Sequence, residues 1–238
     1  MYRLLRAAYR FVTDGDYRSV WTLRLLKPKN LFQANNKTWA DRYPVVFRQV
    51  REKLGDGSDL RLLSFGCATG EEVFTLRQYF PNAWIKGIDI NSYNISVCRK
   101  RLAATPDPKI SFEIADSVQR ELADEYDGIF CMAVFRRGDL IDSRFTRCDS
   151  LICFQDFCRT VDEIARRLKP GGFLSMIHAN FRFRDTPTAD DFELAFRMEL
   201  PVKGEYVTPI FDKENKRTDE FNCDEVIFRR KFPMPVID

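Results

Sequence analysis

The sequence predicts an α/β domain built on a mostly parallel sheet, and three observations lead there. From residue 60 onward, short β-type runs alternate with helical ones, the order that a parallel sheet with crossover helices requires. A loop bounded by Gly66 and Gly70 sits where the first of these strands passes into the first of these helices. With 238 residues, 45% of them hydrophobic, and only 11 Gly and 11 Pro, the chain is long enough for one sizeable core. That composition excludes a disordered, collagen-like or coiled-coil chain.

Taken in order, residues 2–12 and 17–27 read as short helices separated by the turn-forming Asp14-Gly15-Asp16. Tyr43, Val46, Phe47, Val50 and Leu54 recur at helical spacing, with Pro44 in the first turn, before Gly55-Asp56-Gly57-Ser58 breaks the pattern. This break divides the chain into a basic helical extension, 1–57, and a sheet domain, 58–238. Strands are expected at 61–65, 84–89, 110–115, 127–132 and 172–178, with helices between them. The clearest helix, 151–168, aligns Phe154, Phe157, Val161, Ile164 and Leu168 on one stripe and is stopped by Lys169-Pro170-Gly171-Gly172. In the tail, EYVTPIF and EVIFRRKF flank a polar stretch and read as two antiparallel strands added at a sheet edge.

Charge is unevenly spread. The whole chain carries 38 Lys+Arg against 35 Asp+Glu, a net +3, too near neutral for nucleic-acid binding by overall charge. Residues 1–51, however, hold 11 basic and three acidic side chains, a local +8 interleaved with aromatics. That segment reads as a solvated helical lid over the site, with contact to nucleic acid, an anionic membrane surface or an acidic acceptor as the alternative. The seven cysteines form no C-x-x-C pair and His178 is the sole histidine, so no metal site is expected. Cysteines inside apolar runs such as IFCMAVF point to a reducing cytoplasm. No apolar run approaches the ~20 residues of a membrane span. Arg6 and Arg10 interrupt the N-terminal run, so the chain is expected to begin as a mature soluble protein.

The chemistry concentrates in Ser64-Phe65-Gly66-Cys67-Ala68-Thr69-Gly70-Glu71-Glu72. Gly66 and Gly70 let the backbone turn tightly and approach a ligand. The spacing is not the G-x-G-x-x-G of a dinucleotide site, and Glu71 and Glu72 occupy the helix start where a pyrophosphate would otherwise sit. Two carboxylates there repel a diphosphate and suit an ammonium or sulfonium ligand. Asp89 ends the second strand 23 positions after Gly66, where these folds hold a ribose diol, and Asp116 ends the third. Ligands collect at the carboxyl ends of the strands, which brings both acids to one crevice and leaves Asp127 at the opposite edge.

Four ordered motifs, SFGCATGEE, IKGIDIN, EIAD and LKPGGFLSMIH, resemble those of the class I S-adenosylmethionine-dependent methyltransferases over residues 60–180. The form GCATGEE, and the segment NLFQANNKTWADRYPVVFRQV before the first strand, are most similar to the chemotaxis-receptor glutamate methyltransferase group. The resemblance implies a Rossmann-like, seven-stranded, mostly parallel sheet with helices on both faces, and S-adenosylmethionine as cofactor. It places Gly66, Cys67, Ala68, Gly70 and Glu71 at the methionine end of the donor. It assigns Asp89 to the ribose, Ile90 and Asn91 beside the adenine, Asp116 and Ser117 to the adenine edge, and Cys131 and Met132 to the methyl group. The run Ala133-Val134-Phe135-Arg136-Arg137 departs from the Asn and aromatic pair usual in the receptor enzymes, so the fold transfers better than the substrate.

The function expected is methyl transfer to a small-molecule or saccharide acceptor, at oxygen; Arg136, Arg137, Arg144 and Arg147 read either as contacts for an anionic acceptor or as charge that serves only solubility. A protein carboxyl methyltransferase and a donor-binding module without turnover are the alternatives. His178, at the end of the fifth strand, is the single histidine available as a general base; its alternative is a packing role.

Overall fold

The structure, a computed structural model, describes residues 2–199 and 207–233. Three helices precede the sheet: α1 (Tyr2–Thr13), α2 (Gly15–Leu26) and α3 (Pro44–Leu54). Then follow β1 (Arg61–Phe65), α4 (Glu71–Tyr79), β2 (Trp84–Asp89), α5 (Ser92–Ala104), β3 (Ile110–Ile114), β4 (Tyr126–Met132), α6 (Phe154–Ala165) and β5 (Leu168–Ile177). The tail adds β6 (Phe192–Arg197), β7 (Pro209–Phe211), β8 (Arg217–Phe221) and β9 (Glu225–Arg230). Seven strands form one sheet in the order β3-β2-β1-β4-β5-β9-β6, in which β3 to β5 pair in parallel and β9 runs antiparallel to both its neighbours. The winding reverses between β1 and β4, which opens a crevice at the carboxyl ends of these strands.

Alternation along the strands feeds two cores. Leu63 and Phe65 of β1, Ile129 and Cys131 of β4 and Leu174 and Met176 of β5 pack with Phe157, Val161 and Ile164 of α6. Leu62, Phe130, Phe173 and Ile177 face the other way, against α3, α4 and α5. Both faces of a parallel sheet are covered in this manner because its strands are apolar on both sides. Val46, Phe47 and Val50 of α3 are fully packed in that second core, so α3 belongs physically to the sheet although it precedes the break at Gly55. The part of the N-terminal region that lines the crevice is Leu23 of α2 and residues within the segment 30–43.

The tail differs from the sequence expectation. EVIFRRKF does supply β9, but EYVTPIF does not join the sheet edge. Its described end, Pro209–Phe211, pairs with β8 in a separate two-stranded ribbon, and the edge strand is β6. Glu205 and Tyr206 of that run lie outside the described residues. The physical reason is local: Asn215 adopts φ +62° and closes a short turn with Asp212, whose carbonyl accepts from Asn215 at 3.0 Å. A short hairpin costs less closure entropy than a distant pairing. β5 also begins four residues earlier than expected, because Leu168 pairs with Tyr126 while the helix ends at Ala165.

Candidate active site

A cavity of about 400 Å3 lies over the carboxyl ends of β1, β2 and β4, within the ~300–1,000 Å3 typical of small-ligand sites. Its floor is the loop after β1. Gly66 adopts φ +75°, and a Cβ there would meet Val134 Cγ2 at 2.6 Å, so only glycine lets the loop pass beneath the chain after β4. The amides of Gly66 and Cys67 both donate to the Ile88 carbonyl at 2.9 Å, which binds the loop to the end of β2.

Asp89 extends that tie. Its Oδ2 accepts the Ala68 N–H at 2.8 Å and its Oδ1 accepts the Asn91 N–H at 2.7 Å and Asn94 Nδ2 at 3.2 Å. Burial raises the carboxyl above the usual range, opposed by these three donors. Asn91 caps α5 by accepting the Tyr93 N–H at 3.0 Å. Asp116 takes a longer bond, 3.4 Å, from Asn30 Nδ2.

The two glutamates after the loop separate. Glu71 turns outward: it accepts from Arg101 Nη1 at 2.7 Å and from Thr69 Oγ1 at 2.6 Å, and does not line the cavity. Glu72 lines the cavity and accepts from Ser64 Oγ at 2.7 Å. Burial pushes its carboxyl up to about 8, partly offset by Ser64 and the Arg42 guanidinium. The sequence argument expects Glu71 at the donor; in the structure Glu72, and not Glu71, lines the cavity, because one residue along a helix rotates the side chain by about 100°.

Of the other expected site residues, Gly66, Cys67, Ala68, Asp89, Ile90, Asn91, Asp116 and Met132 line the cavity. Gly70, Ser117 and Cys131 do not. Gly70 is the N-cap of α4 at φ +91°, and Cys131 is sealed in the core against α6. His178 lies on the wall of a second cavity of about 300 Å3, which adjoins the first through Trp39, Arg42 and Tyr43. It is buried, sits at φ +54°, and its Nδ1 is 3.5 Å from Thr208 Oγ1. Burial, then the Arg42 and Arg136 charges, lower its imidazole to about 4.

A roof of amide side chains went unassigned in the sequence reading. Ser19 Oγ accepts Asn91 Nδ2 at 2.9 Å, Asn36 Oδ1 accepts Asn94 Nδ2 at 2.9 Å, and Gln33 Nε2 donates to the Arg136 carbonyl at 2.6 Å. The cluster of amides in LFQANNK was their only signal. Phe32, buried edge-on against Phe135 at 4.9 Å between ring centroids, anchors the roof to the core.

The pattern of a family described as a methyltransferase domain matches residues 56–215, about two thirds of the chain. No curated protein matches it. Solved structures with similarity include phosphoethanolamine N-methyltransferase 2 of Haemonchus contortus, at 15% identity and TM-score 0.46, covering 70% of this chain and 34% of that one. An amino pentose methyltransferase of Micromonospora echinaspora shows 24% identity and TM-score 0.43, over 59% of this chain and 50% of that one. Geranyl diphosphate C-methyltransferase of Streptomyces coelicolor A3(2) shows 15% identity and TM-score 0.41, over 56% and 44%. The chain thus matches about a third of the length of the first of these.

Proposed function

Because this chain belongs to the methyltransferase-domain family, we propose that it transfers a methyl group from S-adenosylmethionine to a small-molecule or saccharide acceptor, at oxygen. One observation carries the reading: the loop Gly66-Cys67-Ala68, the carboxyls of Asp89 and Asp116 and the half-buried Glu72 all line a single cavity at the winding reversal of the sheet.

The residues present fit the donor. Glu72 lines the cavity and accepts from Ser64 Oγ, a carboxyl that an arriving ammonium group would draw into its charged form, and the loop lacks the Lys-Ser/Thr pair of a phosphate cradle. Asp89 and Asp116 suit ribose hydroxyls and the adenine edge, with Ile90 and Asn91 beside them. When bound, the sulfonium supplies a methyl already activated for in-line attack. The protein's part is to orient and to exclude water, which contributes up to ~7–11 kcal/mol in favourable cases. Gly66 and Met132 border the cavity floor, while the segment 30–43 covers it through Asn30, Gln33 and Asn36. Arg42 and Arg136, on the wall, favour an acceptor with anionic character. His178 is neutral above pH of about 4 and is the proton acceptor for a hydroxyl reaching into the adjoining cavity.

The seven free cysteines support a reducing, cytoplasmic setting, and no helix among the described residues is long and apolar enough to cross a membrane. The GCATGEE loop supports kinship with the chemotaxis-receptor group. Incubation with a heavy-methyl donor and extracts of the native source tests the proposal. A labelled small molecule is the expected product; base-labile label on polypeptides instead would establish the protein carboxyl reading.

A further inference from the structure

A 12-residue helix is marginal in water unless one face is packed. α1 has that length, yet of its described side chains only Ala7 is half-buried. Leu5, Tyr9 and Val12, spaced along one stripe, stand 65%, 69% and 75% exposed. α2 is two-sided instead. Ser19 bonds Asn91 and Leu23 lines the cavity, while Leu25 and Leu26 turn outward at 83% and 70% exposure. The two helices are held as one unit: Arg10 stacks over the Tyr17 ring at 4.3 Å and pairs with Asp14 at 3.1 Å. Arg18 donates to the carbonyls of Phe11 and Val12, at 3.3 and 3.0 Å. Residues 2–27 carry six Lys and Arg against two Asp, and Arg6, Lys27 and the following Lys29 are exposed.

Large aliphatic side chains left in water beside exposed cations are the signature of a helix that lies in a bilayer interface. We propose that the exposed sides of the α1–α2 hairpin dock on an anionic lipid surface, with Leu5, Tyr9, Val12, Leu25 and Leu26 entering the acyl boundary and Arg6, Lys27 and Lys29 meeting lipid phosphates. Nucleic acid suits the face less well, since the side chains that stand furthest out, Leu25, Val12 and Leu26 at 83%, 75% and 70% exposure, offer no ring on which a base can stack. A second copy of the same face is opposed by its own positive charge. Docking places the roof of the site between the cavity and the bilayer, because the inner side of α2 is part of that roof.

The inference is independent of methyl transfer, and so is its test. The full chain is sedimented with phosphatidylcholine vesicles, with and without phosphatidylserine, at low and high salt. Binding is expected to the serine-containing vesicles alone and to weaken with salt. The double variant Leu25→Glu, Leu26→Glu should bind about tenfold more weakly or worse, having lost two apolar anchors, and Arg6→Glu with Lys27→Glu should also weaken binding. All four side chains are exposed, so unchanged thermal melting in both variants shows that the fold is intact. Equal binding with and without phosphatidylserine, wild-type binding by the leucine variant, tighter retention by an RNA oligonucleotide, or a dimer dissolved by the leucine variant would each overturn the proposal.

Discussion

Asp89 reaches back from the end of β2 to the loop after β1, its Oδ2 accepting the Ala68 N–H at 2.8 Å. Ala68 sits in the left-handed region at φ +47°, a conformation an alanine adopts only when its surroundings hold it there. The carboxylate is thus both a wall of the cavity and the clamp on the loop that forms its floor.

Asp89→Ala should therefore weaken binding of S-adenosylhomocysteine by about 1.5–3 kcal/mol, the scale of lost charged hydrogen bonds. Asp89→Asn, which keeps one acceptor oxygen, should lose less. Titration calorimetry of both variants checks the order; equal affinity in wild type and Asp89→Ala would remove Asp89 from the site.

Glu72 is expected to report on pH. Its carboxyl is raised to about 8 from 4.5, so between those values the folded chain holds a proton that the unfolded chain has released. Stability from this group is full below pH 4.5 and is lost as pH rises through about 8. Glu72→Gln keeps the acceptor for Ser64 and removes the titration. Its unfolding free energy should match wild type near pH 4.5 and exceed it at pH 8.5 by a margin on the order of 1–3 kcal/mol, since water in the cavity moderates the charge. Denaturant curves at the two pH values decide this, and parallel curves would contradict it.

For His178 the sign is reversed. Its imidazole is lowered to about 4 from 6.5 by burial and two nearby arginines, so the unfolded chain binds the extra proton first. Stability from this group is present above pH 6.5 and lost as pH falls through about 4. If the imidazole takes the acceptor proton, the acid limb of the rate profile lies near 4 and vanishes in His178→Gln along with most of the rate. A limb at 6.5, or a variant with unaltered kcat, would return His178 to a packing role.

Gly66→Ala should cost about 1–3 kcal/mol of stability, because it adds a Cβ 2.6 Å from Val134 Cγ2 at a left-handed φ. Val134→Ala in the same chain should recover the steric part but not the backbone part. Thermal melts of the single and double variants separate the two; no recovery would place the strain entirely in the backbone.

The parallel half of the sheet was readable because β1, β2 and β4 are short apolar runs bounded by turn residues, and their expected limits fall within a residue of those observed. The edge was not. FELAFR in β6 is largely half-buried or exposed, so it lacks the apolar signature that marks an interior strand. Within the site, Asp89 was legible because a strand end has one position facing the crevice. Glu71 and Glu72 were not separable by sequence, since either fits the helix start and only the rotation of α4 decides which carboxyl enters the cavity. The amides of the roof carry no periodicity; they act through contacts made by a segment without regular structure between α2 and α3, such as Asn36 to Asn94 across 58 positions.

The central claim is that the loop from Gly66 to Gly70 and the cavity above it receive a sulfonium nucleoside. Calorimetric titration of the intact chain with S-adenosylhomocysteine, and separately with a nicotinamide dinucleotide, tests it most directly. Saturable heat with the first ligand, diminished in Asp89→Ala, and none with the second is the predicted result. Heat from the dinucleotide alone would contradict the account.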